Sequence, residues 1–189
     1  EGRSDSPGWR PLATLSFAAS HAAVGASPAG FRAVNLALHA LCTGVLFVLA
    51  RRLGLGREAA GAAALAFVLL PIHSEAVVWV VGRAELGAAV GFLVAWLACL
   101  RHRDDGSRAA LGVAAVAVLL GMLCKENAVT ALAAPAILAL WANPDRDLGK
   151  WRRDAASAVA MGMGVAAWAL LRAAADAPDL AGAATSRLD

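Results

Sequence analysis

The chain has 189 residues, of which 60% are hydrophobic and 16% are charged, and it carries a net charge of +3. Its mean hydropathy of +0.64 is higher than that of soluble domains. A soluble Ala-rich helical bundle is also disfavoured because its helices show a polar face every few residues, whereas the polar residues here come in clusters. The basic residues are scattered between apolar runs, which disfavours a nucleic-acid partner. We therefore predict an all-α polytopic membrane protein.

Six runs without charged residues follow one another along the chain, which predicts about six transmembrane helices. A helix of about 20 residues spans the ~30 Å hydrocarbon core of a bilayer. The second and third runs are shorter, so they need residues from the polar stretch between them, and Pro71 is expected to end the second span. The runs are residues 33–50, 59–72, 86–100, 109–124, 127–144 and 155–171.

The connections between these runs differ in charge. The first, third and fifth, "RRLGLGRE", "RHRDDGSR" and "NPDRDLGKWRR", hold ten of the 17 Lys and Arg residues. By the positive-inside rule these connections face the cytoplasm, and the other connections lie outside. We divide the chain into an outer-facing segment at 1–32, a membrane domain at 33–172 and an outer-facing tail at 173–189.

Three sets of polar residues then fall at the outer face. The first set lies in the stretch "PIHSEAVVWVVGRAEL", where helical spacing predicts an interfacial helix with Glu75 and Arg83 on one side. The second is a stripe that descends along the first span, and the third follows the fourth run. Their members are His73, Glu75, Arg83 and Glu85; Arg32, Asn35 and His39; and Lys125, Glu126 and Asn127.

Each set contains one basic residue that is able to hold a phosphate: Arg32, Arg83 or Lys125. The alternatives are structural. The arginines serve equally well as headgroup anchors, His39 as a partner in a hydrogen bond between helices, and "CKEN" as a solvated junction. Glu75 and Arg83 could also pair only to brace their loop.

Motifs for other chemistry are missing from the sequence. It has no hydrolase order of Ser, His and Asp, no zinc-ligand spacing and no Gly-rich phosphate loop. Cys42, Cys99 and Cys124 lie in or beside apolar runs and are expected to be small buried hydrophobes. What remains is chemistry on a lipid-borne substrate at the outer surface, or no chemistry at all.

Four motifs resemble a known family in their order and approximate spacing: "GWRPLATLSFA", "GFRAVNLALHAL", "PIHSEAVVWVVGRAEL" and "CKENAVTALAAPAIL". The family is that of the transmembrane O-mannosyltransferases with tetratricopeptide repeats and their bacterial relatives, which belong to the GT-C class of membrane glycosyltransferases. The resemblance covers residues 8 to 140. The chain departs from the family pattern at Leu70, where the family has His, and more mildly at Ser74, Glu85 and Cys124.

The resemblance implies part of a GT-C membrane domain that transfers a mannose-like sugar from a polyprenyl-phosphate donor to a protein hydroxyl. The excess of Arg over Lys and the lack of Tyr indicate a bacterial source, so we expect the bacterial inner membrane, with the site facing the periplasm or exterior. The resemblance leaves open whether a divalent metal takes part. The partners it implies are the lipid-linked donor, a protein acceptor and membrane lipid.

The resemblance also implies roles for individual residues. Arg83 and Lys125 would bind the donor phosphate, and Glu75 and Glu126 would support catalysis. The catalytic acidic residue is expected upstream of Glu1, so that the chain is expected to be a piece that is inactive alone. The further supporting residues are Arg10, Asn35, His39, His73 and Glu85.

Two alternatives from other classes remain. One is a non-catalytic membrane scaffold that presents downstream tetratricopeptide repeats to partners. The other is a secondary transporter, which is disfavoured because transporter sites lie near the bilayer midplane on broken helices, whereas these polar residues gather at one surface.

Overall fold

A computed structural model describes residues 8–185, and within that range the chain is all-α, with no strand. Eight α-helices are joined by short loops and by three 3-10 segments, Pro71–His73, Val80–Gly82 and Glu126–Leu132. The α-helices are α1 Pro11–Val24, α2 Pro28–Arg52, α3 Arg57–Leu69, α4 Ser74–Val78, α5 Arg83–Asp105, α6 Arg108–Cys124, α7 Ala133–Trp141 and α8 Leu148–Thr185.

Three helices are long and apolar enough to cross a membrane: Pro28–Arg52, Val80–Asp105 and Leu148–Ala175. A fourth span results if Arg57–Leu69 and Pro71–Val78, which meet at a bend of 50°, count as one. The chain is therefore an integral membrane protein. The prediction of six spans is wrong for the described residues.

Helix length explains the difference. The fourth predicted run forms the 17-residue helix α6, which is only ~25 Å long. The fifth run is divided between the 3-10 segment Glu126–Leu132 and the nine-residue helix α7. An apolar run in the sequence shows how many residues are apolar enough to lie in a membrane. It does not show whether they form one continuous helix.

The segment between α3 and α5 is broken twice. Leu70 is extended and Pro71 opens a 3-10 turn, so Pro71 does end the preceding helix as predicted. The second break is at Trp79, whose ψ of 131° is extended. The predicted continuous interfacial helix is therefore wrong, and Glu75 and Arg83 lie on different helices.

Gly82 allows the chain to fold back closely after this second break. A Cβ atom at position 82 would lie 2.3 Å from the carbonyl oxygen of Ala76 and 2.6 Å from its Cα. A side chain does not fit at that distance, so this turn requires glycine.

The core centres on α5, which packs against α2, α6 and α8. Small residues bring the backbones close, as is common where helices pack in membranes. A Cβ at Gly91 of α5 would lie 2.6 Å from the carbonyl oxygen of Ala117 in α6, and one at Gly164 of α8 would lie 2.4 Å from that of Ala115. All three cysteines are free and buried in the packed helices, as predicted.

The bundle has two polar ends, named here after their central arginines. At the Arg103 end, Arg103 and Asp154 form a buried ion pair between α5 and α8, and Arg103 also donates to the carbonyl of Ala142 at 2.7 Å. The Arg83 end holds the start of α2, the start of α5 and the end of α6.

The division into an outer-facing segment, a membrane domain and an outer-facing tail stays a prediction. Helix α1 lies in the first segment and packs against α2, α5 and α6. Helix α8 continues past residue 172 to Thr185. Residues 1–7 and 186–189 of the two predicted outer-facing segments lie outside the described residues.

Candidate functional site

Arg83 lies at the first position of α5 and is only 2% exposed. Its Nε donates to Oδ1 of Asn35 at 3.1 Å. Its Nη1 donates to the carbonyl of Ser16 at 2.9 Å and to Oγ of Ser20 at 2.7 Å, and Nη2 donates to the carbonyl of Phe31 at 3.1 Å. Four of the five guanidinium N–H groups therefore have protein acceptors.

Two phenylalanine rings cover the guanidinium. The carbon at its centre lies 4.8 Å from the ring centroid of Phe17 and 5.3 Å from that of Phe31. Such cation–π contacts partly replace the hydration that a buried charge loses. The result is a bracing group that joins α1, α2 and α5.

Asn35 extends this network to the segment before α5. Its side chain is fully buried, and Nδ2 donates to the carbonyl of Trp79 at 3.0 Å. That carbonyl belongs to the residue at which the helix is broken and also accepts from the N–H of Gly82 at 3.0 Å, so Asn35 adds a second hydrogen bond at the break. Arg32, one turn earlier on α2, is exposed and its Nε donates to the carbonyl of Val78 at 3.3 Å.

A second polar group joins α5 to the end of α6. Glu85 Oε1 pairs with Nζ of Lys125, and Glu85 Oε2 accepts from Nδ2 of Asn127 at 3.2 Å. The side chains of Lys125 and Glu85 are 27% and 42% exposed. Unlike Arg83, this pair remains accessible to a substrate.

Glu126 lies beside this pair and meets two more cations. Its carboxylate is 3.7 Å from Nη2 of Arg10 and 4.0 Å from Nη1 of Arg172. Arg172 is a site residue that the sequence reasoning missed. Its position at the end of the last apolar run, on the predicted outer side, was the available signal.

The two predicted histidines meet around Phe67. The His73 ring centroid lies 4.3 Å from that of Phe67 and 5.4 Å from that of His39. His39 is 3% exposed, and its Nδ1 has no hydrogen-bond partner within residues 8–185. This cluster packs α2 and α3 against the turn at Pro71–His73.

Glu75 stands apart from the other predicted residues. It is exposed on the short helix α4, and no hydrogen bond or ion pair joins its side chain to the part of the chain that the structure describes. The other predicted residues are brought together at the Arg83 end. Which of them bind a donor or take part in catalysis stays a prediction.

A cavity of about 260 Å³ opens between the 3-10 segment Glu126–Leu132, α5 and the end of α3. Glu85, Asn127 and Thr130 supply its polar wall, and Phe67, His73 and Phe92 supply rings. Among the described residues, no group of three or more His, Cys, Asp or Glu side chains is placed to hold a metal ion.

Searches against protein-family models and against solved structures gave no match. Curated sequences gave several. Protein O-mannosyl-transferase Tmtc1 of Drosophila melanogaster is 40% identical over 124 residues, which is 66% of this chain and 14% of the fly protein. Protein O-mannosyl-transferase Tmtc2 of the same fly is 43% identical over 131 residues, again 66% of this chain and 14% of the relative.

A human relative matches to a similar extent. Protein O-mannosyl-transferase TMTC2 of Homo sapiens is 39% identical over 136 residues, 68% of this chain and 16% of the human protein. The chain thus spans only about a seventh of the length of these relatives. They are animal proteins, so the expectation of a bacterial-type relative is not borne out. Over about two thirds of its length, the chain is a TMTC-like O-mannosyltransferase sequence.

Proposed function

We propose that the full-length protein is a membrane glycosyltransferase that moves a mannose-like sugar from a polyprenyl-phosphate donor to a protein hydroxyl. The relatives named protein O-mannosyl-transferases support the reaction class. The observation that carries the proposal is the accessible cluster of Glu85, Lys125 and Asn127, because it joins two separate motifs of the resemblance at one end of the bundle.

Lys125 is the cation that we assign to the donor phosphate. Its ammonium has three N–H donors, and the ion pair with Glu85 uses one of them. A phosphate that leaves a sugar gains negative charge, so a cation fixed beside it stabilises the transition state more than the ground state. Lys125 is positioned by the 3-10 segment that follows it and by Glu85.

Arg83 has a different role in this account from the phosphate binding expected from the resemblance. A phosphate ligand needs donors that are free and accessible, and Arg83 is buried with four donors already used. We therefore assign Arg83, together with Asn35, to positioning the segment that ends at Glu85.

The remaining predicted residues complete the proposed site. Arg10 and Glu126 form a half-exposed pair next to Lys125, where Arg10 adds positive charge and Glu126 orients it. Glu75 is exposed and available to an acceptor. The base that deprotonates the acceptor hydroxyl is expected in the full-length protein upstream of Glu1, as the resemblance implies.

The proposed arrangement places the Arg83 end on the outer side of the membrane, with residues 33–172 as the membrane domain. The connections richest in Lys and Arg lie at the other end, which supports this orientation. Segments 1–32 and 173–189 would then both face outward.

The direct test is transfer of radiolabelled mannose to protein by membranes that contain the full-length parent, supplied with polyprenyl-phosphate mannose. Membranes without the protein are the control. Transfer above the control supports the proposal. If the parent transfers neither mannose nor another hexose from a polyprenyl phosphate, the scaffold becomes the better account.

A further inference from the structure

The cavity beside Glu85 is lined by polar side chains and by aromatic rings. The ion pair of Glu85 with Lys125 accounts for only part of the polar lining. We call it the Glu85 cavity. Its lining carries a carboxylate, an amide and a hydroxyl from Glu85, Asn127 and Thr130, together with the rings of Phe67 and Phe92. An apolar pocket for lipid, or a simple gap between helices, would not need the polar wall.

The polar wall retains hydrogen-bonding capacity. Glu85 accepts one bond at each oxygen, from Lys125 and Asn127, and an ionised carboxylate has about four acceptor positions. Asn127 has a second side-chain N–H and its Oδ1, the Thr130 hydroxyl donates to the backbone carbonyl of Asn127 at 2.8 Å and can still accept, and both residues are exposed. Closely spaced acceptors and donors of this kind match adjacent hydroxyl groups.

The ring wall matches the other property of a sugar. A pyranose has polar edges and a face of C–H groups, and the faces of aromatic rings are electron-rich surfaces against which C–H groups pack. Phe67 is held in place by the His73 ring, whose centroid is 4.3 Å away. The volume of 260 Å³ lies just below the roughly 300–1,000 Å³ of most ligand pockets, which suits one ring rather than an oligosaccharide.

We propose that the Glu85 cavity binds the hexose of the lipid-linked donor. The inference rests on the proposed function, because it takes Lys125 as the cation for the donor phosphate. Glu85 contacts Lys125 and also lines the cavity, so a ring in the cavity has its anomeric carbon near the phosphate. Glu85 and Asn127 would bind the hydroxyls.

Binding to the purified full-length protein tests this without relying on turnover. The probes are radiolabelled polyprenyl-phosphate mannose and radiolabelled polyprenyl phosphate that carries no sugar. We expect the parent to prefer the sugar-bearing lipid. Thr130→Phe fills the cavity, so it should weaken binding of the sugar-bearing lipid about tenfold and leave binding of the sugarless lipid unchanged.

Two controls separate this inference from loss of folding and from the proposed function. Thr14→Phe adds the same bulk at an exposed position of α1 outside the cavity and should keep the parent's preference. Lys125→Ala should weaken binding of the two lipids to the same extent. Equal binding of the two lipids by the parent, or a full sugar preference in Thr130→Phe, overturns the cavity assignment alone. A parent that binds neither lipid overturns the proposed donor and the cavity assignment together.

Discussion

The Arg83 guanidinium lies over the neighbouring rings of Phe17 and Phe31 and donates to backbone and side-chain oxygens of α1 and α2. In water, one arginine at the start of a helix would contribute little. Here the surroundings are apolar, and without Arg83 the buried Oδ1 of Asn35 would lose its donor, whereas the carbonyl of Ser16 would still accept from Oγ of Ser20. Arg83 is therefore expected to stabilise the fold. It would affect activity indirectly, because it positions the segment that carries Glu85 two residues later.

Arg83→Ala should lower the free energy of unfolding by about 2 kcal/mol or more, since the buried Oδ1 of Asn35 loses its donor and a cavity is left where the side chain packed. Thermal unfolding in detergent measures this. Arg101→Ala is the matched control, because Arg101 is exposed and, within residues 8–185, forms only an i,i+4 ion pair, worth about 0.5 kcal/mol or less. Equal stability of the two variants would contradict the bracing role.

At the scale of elements, the segment between α3 and α5 is organised by two breaks and one close approach. Pro71 ends one helix, Trp79 is extended, and Gly82 passes against the backbone of Ala76. These features turn the polar residues of one stretch toward different neighbours. His73 faces Phe67, Arg83 faces Asn35, and Glu85 reaches Lys125.

Gly82→Ala should therefore disrupt the Arg83 end, because its Cβ would lie 2.3 Å from the backbone carbonyl oxygen of Ala76. We expect the free energy of unfolding to fall by about 2 kcal/mol or more and donor binding to weaken. Gly112→Ala is the control. A Cβ there meets nothing within 4 Å and replaces glycine in α6, so it should stabilise the helix by up to about 1 kcal/mol.

The observation that would count against this description is a Gly82→Ala protein as stable as the parent. It would mean that the turn has room to rearrange, so that Glu85 and Lys125 do not depend on the close approach. Thermal unfolding of the two glycine variants side by side gives the answer.

Sequence patterns predicted the helical class and the gathering of polar residues at one end, but not how those residues pair. The break at Pro71 was predicted because proline restricts the residue before it. The break at Trp79 was not, because "AVVWVV" contains no residue that disfavours a helix strongly. Pairing of Arg83 with Asn35, 48 residues apart, depends on helix packing that no local pattern encodes.

At the scale of the whole molecule, the two polar ends differ in exposure. The Arg103 end has a buried ion pair that fastens α5 to α8, and exposed basic residues surround it. The Arg83 end has accessible carboxylates and cations. This asymmetry fits one end that anchors the bundle at the cytoplasmic surface and another that handles a substrate outside.

Thiol labelling in intact cells tests this orientation. Glu75→Cys should react with a membrane-impermeant maleimide added outside, and Arg101→Cys should react only after the cells are opened, because both side chains are exposed at opposite ends. The native cysteines are buried and should give little background. The reverse labelling pattern would place the Arg83 end in the cytoplasm.

The central claim is that Lys125 stabilises a donor phosphate. The most direct measurement is the rate of sugar transfer from polyprenyl-phosphate mannose by the full-length Lys125→Ala protein, compared with the parent and with Lys150→Ala, which removes an exposed lysine at the other end. We predict a loss of at least about tenfold for Lys125→Ala, as for removal of a group that stabilises developing negative charge, and parent-like transfer for Lys150→Ala. Parent-like transfer by a correctly folded Lys125→Ala protein would contradict the account.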